Sequence, residues 1–154
     1  MKTRETGELV GIYIASAAGC PMIEVTSAEI IRGHGIKGDR YGDGRGSYQK
    51  MLGQRQITLI SVEALSAGRF EAIESRRNLV TSGVELMWLI GREFLIGRVR
   101  FRGIKYCEPC DRPNVLAARA LSFKDALFDR GGLIAECLAD GQIYVGDCMP
   151  RPPR

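Results

Sequence analysis

Residues 94–103, which read Phe-Leu-Ile-Gly-Arg-Val-Arg-Phe-Arg-Gly, carry the clearest structural pattern in the chain. Phe94 and Ile96 alternate with Leu95 and Gly97, and the apolar Val99 and Phe101 then alternate with Arg98, Arg100 and Arg102. A period of two residues is typical of a strand with one apolar and one charged face. This stretch therefore predicts a strand that leads directly into the cysteine-containing segment 107–110.

Further β-prone runs surround this strand, and few segments show a helical period. The strand candidates are residues 9–15, 22–31, 56–60, 133–139 and 142–148. Asp140-Gly141, which joins the last two, favours a tight type I′ hairpin turn. Short helices are predicted at 62–74, capped by Ser61, at 84–90, and at 123–130, capped by Ser122. Because strands and helices do not alternate, the sequence predicts a mainly β barrel or curled sheet with a few short peripheral helices.

The composition predicts one globular domain. The chain has 154 residues, of which 45% are apolar and 26% charged, enough for a hydrophobic core without disulfides. We expect the domain to span residues 1–148 and the Pro- and Arg-rich residues 149–154 to form an extended tail without a core partner. The sequence shows no membrane span or secretory signal, so we expect a cytoplasmic protein with no membrane partner.

Five cysteines at uneven spacing indicate reduced thiols rather than a disulfide framework. Cys20, Cys137 and Cys148 are expected to be structural. Cys107-Glu-Pro-Cys110 differs, because its prolines and charges describe a loop. A thiolate is the reactive and metal-binding form of cysteine, and the neighbouring cations Lys105 and Arg112 favour it.

Three chemistries suit the Cys107–Cys110 pair. Structural zinc needs two further ligands at finger-like spacing, and the chain has a single histidine, His34. Thiol–disulfide exchange fits the spacing, but the usual βαβ context is absent. In the third, Cys110 alone is a soft ligand to a transition metal carried by an organic cofactor, and arginines bind the anionic end of that cofactor.

A glycine-rich loop at residues 33–46 is a second candidate for ligand contact, because glycine lets the backbone approach a ligand closely. It contains neither the Walker Gly-Lys-Ser/Thr nor the Gly-x-Gly-x-x-Gly dinucleotide pattern. Nucleotide-binding folds are therefore disfavoured.

Several blocks of the sequence resemble the MOSC-domain family, named for the C-terminal domain of the molybdenum-cofactor sulfurase, and they occur in the family's order. The blocks are Gly-Ile-Lys-Gly-Asp-Arg-Tyr at 35–41, Arg-Gln-Ile-Thr-Leu-Ile-Ser-Val-Glu-Ala-Leu at 55–65, Arg-Arg-Asn-Leu-Val-Thr-Ser-Gly-Val-Glu-Leu at 76–86, Ile-Gly-Arg-Glu-Phe at 90–94, Cys-Glu-Pro-Cys at 107–110, and Gly-Gly-Leu at 131–133 with Val-Gly-Asp at 145–147.

The resemblance implies a MOSC-like β-barrel in which Cys110 carries sulfur or binds molybdenum through the molybdenum cofactor, molybdopterin. Arg40, Arg77 and Asn78 fall on blocks expected to line the same pocket, and Cys107 is the more variable cysteine. Ile134 is a departure, since short relatives often carry an arginine there that could contact phosphate.

Two functions follow from the resemblance. One branch of the family reduces N-hydroxylated compounds at a cysteine-ligated molybdenum cofactor, and another delivers sulfur or cofactor without being an enzyme. A reductase would need a separate electron-donating partner, because the sequence has no iron–sulfur spacing and no flavin or nicotinamide fingerprint. We expect a small-molecule substrate and no nucleic acid, since the arginines at 98–102 lack an aromatic row for base stacking.

Overall fold

Strands dominate the fold, as the sequence predicts. The computed structural model describes residues 6–42 and 55–152. Its strands are β1 Thr6–Ile14, β2 Ile23–Val25, β3 Ser27–Ile31, β4 Gly35–Ile36, β5 Ile57–Ser61, β6 Leu79–Ser82, β7 Glu93–Ile96, β8 Val99–Tyr106, β9 Leu133–Cys137, β10 Gly141–Tyr144 and β11 Cys148–Pro150. Its α-helices are α1 Val62–Gly68, α2 Arg112–Leu116 and α3 Phe123–Ala126, and Ile73–Ser75 and Leu86–Leu89 form 3₁₀ turns.

The larger sheet curls into a half-barrel. Its strand order is β11-β1-β6-β5-β9-β8-β7, with β2 also paired to β1, and a smaller sheet has the order β10-β3-β4. The two end strands of the larger sheet meet, because the Gly97 amide after β7 donates to the Cys148 carbonyl in β11 at 2.9 Å. The mainly β, barrel-like fold predicted from the sequence is confirmed.

The alternation in β8 has its expected structural result. Val99 and Phe101 are buried, and the Phe101 ring stacks on Phe94 of β7 with centroids 5.6 Å apart. Arg102 lies on the outer face, where its guanidinium forms 3.1 Å ion pairs with Glu93 and Glu136. The apolar face of the strand thus belongs to the core, and the charged face is solvated and partly paired.

The predicted C-terminal hairpin is wrong. β9 pairs with β5 and β8, whereas β10 crosses to the smaller sheet and pairs with β3. The physical reason is that β9 is a central strand with β5 on one edge and β8 on the other. Its consecutive residues Leu133, Ile134 and Ala135 are accordingly buried. With neighbours on both sides, β9 has no free edge for β10.

The C-terminal segment differs from the tail expected at 149–154. Met149 is buried in the core, and β11 pairs with β1 from Thr6↔Pro150 to Glu8↔Cys148. An edge strand accepts Pro150, because its missing N–H can face away from the ladder. Residues 43–46 of the predicted glycine-rich loop and residues 153 and 154 of the tail lie outside the described residues.

Two helix caps are confirmed, although the helices are shorter than predicted. Ser61 Oγ accepts from the Ala64 amide at 3.1 Å, and Ser122 Oγ accepts from the Asp125 amide at 3.2 Å. α1 ends at Gly68, whose Cα lies so close to α3 that an added Cβ would meet Leu127 Cδ2 at 2.6 Å. The helix predicted at 84–90 is only a 3₁₀ turn, and the strand predicted at 22–31 is two strands.

Candidate functional site

β8 ends at Tyr106 and places two cysteines in different surroundings. Cys107 is fully buried, and its amide donates to the Gly132 carbonyl at 2.9 Å. Cys110 is solvent-exposed. Thiol–disulfide exchange by the pair would require Cys107 to leave this buried position, so the structure separates the two thiols that the sequence presents as equals.

Side chains after Cys110 fix the loop to its surroundings. Asp111 Oδ1 accepts from Ser122 Oγ at 2.6 Å and from the Lys124 amide at 3.2 Å. These two hydrogen bonds, the Ser122 contact first, lower the pKa of the Asp111 carboxyl. Asn114 Oδ1 accepts from the Phe123 amide at 2.9 Å. Together they tie the start of α2, directly after Cys110, to the start of α3.

Gly131 allows the loop that contains Cys107 and Cys110 to pack closely against the chain before β9. A Cβ added there would collide with the Cys107 carbonyl and lie 2.7 Å from Pro109 Cδ. The backbone of the cysteine loop can approach this strand entry only because no side chain intervenes. The close packing explains why glycine is needed at position 131.

Cys110 opens onto a small cleft lined by five arginines. The lining residues are Ala18, Gly19, Arg40, Tyr41, Arg55, Arg76, Arg77, Cys110, Arg112 and Pro113. They come from the segments after β1, after β4, before β5, before β6 and after β8. The structure thus brings the predicted Arg40, Arg77 and Cys110 together. It adds Arg55 and Arg76, which sequence analysis did not assign to the site although both begin family blocks.

The Arg40 guanidinium is bound by other groups of the protein. Its guanidinium donates to Asp39 Oδ1 at 3.0 Å and to the Arg76 carbonyl at 2.8 Å, and it lies 4.2 Å from the Tyr41 ring centroid. Asp39 is completely buried and also accepts from the Ala15 amide at 2.9 Å. Arg40 therefore shapes the wall of the cleft, and Asp39 compensates its charge.

Arg76 and Arg77 have unused hydrogen-bonding capacity. Arg77 Nε donates to the Gly131 carbonyl at 2.9 Å. The Nη2 atoms of both arginines are buried, and neither has a hydrogen-bond partner within residues 6–42 and 55–152. Burial, and then repulsion from Arg40 and Arg112, lower the pKa of Arg76. Buried donors without partners are costly, so this pair of guanidinium groups is suited to an anion.

Asn78 does not line the cleft. Its Oδ1 accepts from the Thr58 amide at 3.1 Å and from Thr58 Oγ1 at 3.2 Å, and its Nδ2 donates to the Tyr13 carbonyl at 3.2 Å. These contacts join β1, β5 and β6 next to Arg77. The structure gives Asn78 a role in holding the sheet, where the family resemblance implies contact with the cofactor.

Ile134 is buried in β9. An apolar side chain in the core offers no hydrogen bond to a phosphate. The departure from the arginine of short relatives therefore removes that contact from this chain.

The thiol environments predict selective alkylation. Burial, with a smaller contribution from Glu136, raises the pKa of Cys137 to about 12, so this thiol is neutral at pH 8. Because the thiolate reacts, we expect iodoacetamide to modify the exposed Cys110 and Cys148 at least about tenfold faster than the buried Cys107 and Cys137. Peptide mass spectrometry over time measures the four rates. Alkylation of Cys107 as fast as that of Cys110 would contradict the buried position of Cys107.

Comparison with known families decides the family of the chain. Residues 47–149 match the family described as MOSC domain. The chain belongs to the MOSC domain family. This family is associated with molybdenum-cofactor binding. No curated protein matches the sequence significantly.

Solved structures show the same MOSC fold at low sequence identity. The YuaD protein from Bacillus subtilis superposes with a TM-score of 0.75 at 18% identity, covering 94% of this chain and 94% of that chain. YiiM from Geobacillus stearothermophilus gives a TM-score of 0.71 at 14% identity, covering 96% of this chain and 76% of that chain. YiiM from Escherichia coli gives 0.65 at 17% identity, covering 96% and 70%.

Two features are absent from the described residues of this MOSC domain. Within residues 6–42 and 55–152, no group of three or more His, Cys, Asp or Glu side chains could by itself hold a metal ion. In the same part of the chain, no helix is long and apolar enough to cross a membrane.

Proposed function

We propose that the arginine-lined cleft binds the molybdenum cofactor, with Cys110 as the protein ligand of the metal and with Arg76 and Arg77 binding the phosphate-bearing end of the organic part. The observation that carries the proposal is the meeting of an exposed thiol with two guanidinium groups whose buried Nη2 atoms lack partners in the described chain. All five cysteines are free, which suits the reducing cytoplasm, where we place the protein.

The side chains present suit the two ends of such a cofactor chemically, and the cleft itself, with a volume of about 40 Å³, admits only part of it. A thiolate is a soft ligand suited to a transition metal, and a metal held by an organic group needs no cluster of protein ligands. Arginine binds phosphate through charge-assisted and often bidentate hydrogen bonds, which the two Nη2 groups can supply. Binding an anion would also relieve the repulsion among Arg40, Arg76 and Arg112 that lowers the pKa of Arg76.

Each part of the cleft has a separate task in this proposal. Asp39 pairs with Arg40, and the Arg40 guanidinium donates to the carbonyl of Arg76. These contacts link the segment after β4 to the segment before β6. Asp111, bonded to Ser122, keeps the Cys110 loop in place. The cofactor, when bound, supplies oxygen-atom transfer coupled to two electrons. We propose reduction of N-hydroxylated small molecules as the reaction, with a separate reductase as the electron donor.

The exposure of Cys110 favours a second candidate, a carrier. A thiol at the protein surface can receive a persulfide sulfur or pass the cofactor to another protein, which a buried ligand cannot do without opening. The two functions separate in one experiment on protein from a cofactor-competent host. A reductase turns over benzamidoxime with a chemical electron donor and retains molybdenum. A carrier gives no turnover and releases thiocyanate from a Cys110 persulfide on treatment with cyanide.

Replacing Arg76 by Met tests the anion-binding step. We expect Arg76→Met to lower affinity for the cofactor by about 10–150-fold, since a hydrogen bond to a charged group contributes roughly 1.5–3 kcal/mol. A base with a lowered pKa in the folded state destabilises the fold wherever it is charged. Loss of this charge should therefore leave the unfolding free energy of cofactor-free protein unchanged or higher.

The matched control is Arg98→Met, which removes an exposed arginine from the turn between β7 and β8. Cofactor retention is measured as molybdenum and pterin per chain after purification from a cofactor-competent host. The stability comparison uses protein from a host that lacks cofactor synthesis. Wild-type protein without molybdenum and pterin, or equal retention in Arg76→Met and wild type, would refute the proposal.

A further inference from the structure

A second cleft lies between the strand ends of β1, β7 and β11 and the 3₁₀ turn 86–89. It has a volume of about 350 Å³, within the range of roughly 300–1,000 Å³ typical of small-molecule sites. Its floor is apolar, formed by Leu89, Phe94 and Met149, which are all at least nine-tenths buried. None of its lining residues lines the arginine cleft, so the two clefts are distinct.

Two arginines lie against the one tryptophan of this apolar cleft. Trp88 lines it, and the guanidinium carbons of Arg92 and Arg151 lie 4.5 Å and 5.0 Å from the centre of the Trp88 ring. Among the ion pairs of the described chain, none involves Arg92 or Arg151, in contrast to Arg102, which has two glutamate partners. The stacking on Trp88 positions each cation, and neither guanidinium has a hydrogen-bond or ion-pair partner among the residues that the structure describes.

The charge balance selects an anion. Glu85 carries the one carboxylate among the residues that line the cleft, whereas Arg151 lines it and Arg92 stands behind Trp88. Glu85 and Arg151 balance each other among the lining residues, the nearby Arg92 brings the net charge of these three groups to +1, and the floor of the cleft is apolar. A ligand that satisfies both parts has a single acidic head and an apolar body.

We propose that this cleft binds a small monocarboxylate with an apolar tail, with the carboxylate on Arg151 and the tail on the floor of Leu89, Phe94 and Met149. A bare inorganic anion would leave the floor uncovered. A nucleobase would compete with the guanidinium groups that already lie over the Trp88 ring. The site is independent of the molybdenum cofactor and of Cys110.

Trp88 is the only tryptophan in the chain, so its fluorescence reports directly on this cleft. The probes are straight-chain carboxylates from butanoate to octanoate, with 1-octanol as the neutral counterpart of the longest acid. We expect saturable binding of the acids, tightening by about fourfold for each added methylene until the floor is covered, because burying a methylene contributes roughly 0.8 kcal/mol. Octanol should bind at least about tenfold more weakly than octanoate.

Arg151→Gln should weaken octanoate binding by about tenfold or more, and Arg151→Lys should restore part of the affinity because it keeps the charge. Arg98→Gln, which removes an exposed arginine that does not line the cleft, and Cys110→Ser should bind octanoate like the wild type. Isothermal titration calorimetry repeats each affinity, since a change at Arg151 also alters the fluorescence of the stacked Trp88.

Three results would overturn this assignment. They are absence of saturable binding by any acid in the series, equal affinity for octanol and octanoate, and unchanged affinity in Arg151→Gln. If the protein fails to bind the molybdenum cofactor, the proposal for carboxylate binding is unaffected, because neither Cys110 nor the arginine cleft contributes to this site.

Discussion

Replacement of Cys110 by Ser is expected to reduce bound molybdenum by at least about 100-fold, because a serine hydroxyl is a hard, protonated group and a poor substitute for a soft thiolate. Replacement of Cys107 by Ala should leave most of the molybdenum bound. Cys107 is fully buried and behaves as a small hydrophobic side chain, so its sulfur cannot reach a ligand in the cleft.

Molybdenum and pterin per chain, measured on both variants from the same cofactor-competent host, test this expectation. Pterin retained without molybdenum in Cys110→Ser would be a specific signature of a lost metal ligand, since Arg76 and Arg77 remain to bind the organic part. Equal loss in both cysteine variants would instead indicate that the two thiols act as a pair. Thermal unfolding of each variant shows whether the fold is intact.

The parts of the fold that sequence predicts well are those where one residue pattern has one structural meaning. The alternation from Val99 to Arg102 could only suit a strand with a core face and a solvent face, and β8 is such a strand. β9 shows the opposite case. Consecutive apolar residues are compatible with any doubly buried strand, so the local turn signal at Asp140-Gly141 favoured a hairpin that the neighbours of β9 exclude.

The site could be predicted in part for a similar reason. The exposed, proline-flanked Cys110 and the family blocks around Arg40 and Arg77 point to one pocket, and the structure brings these three residues into one cleft. The sequence could not show which arginines are paired within the protein and which have donors left for a ligand. Arg40 proves to be neutralised by Asp39, whereas Arg76 has an unpartnered buried Nη2 within the described chain. That distinction depends on contacts between segments far apart in sequence.

Asn78 is the residue for which family resemblance and structure give different expectations. The resemblance implies a cofactor contact, and loss of such a contact would reduce cofactor binding with little effect on folding. In the structure, the Asn78 side chain is completely buried and makes hydrogen bonds to Thr58 and Tyr13. Loss of these bonds would affect folding first.

We therefore expect Asn78→Ala to lower the unfolding free energy of cofactor-free protein by about 3–5 kcal/mol, because each buried polar group left without a partner costs roughly 1–3 kcal/mol. The Thr58 amide and the Tyr13 carbonyl each lose a partner, and the Thr58 hydroxyl loses its acceptor while still accepting from the backbone amide of residue 78 at 3.1 Å. Ser82→Ala, at the end of the same strand, is the matched control and should change stability by no more than about 0.5 kcal/mol.

Urea denaturation with both variants measures these differences, and an unchanged denaturant slope would show that the same cooperative unit unfolds. A stable Asn78→Ala protein that fails to retain pterin would support direct contact with the cofactor. A protein that unfolds at markedly lower urea shows that the amide joins β1, β5 and β6. The position of the Arg77 guanidinium in the cleft depends on this junction, because Arg77 directly precedes Asn78.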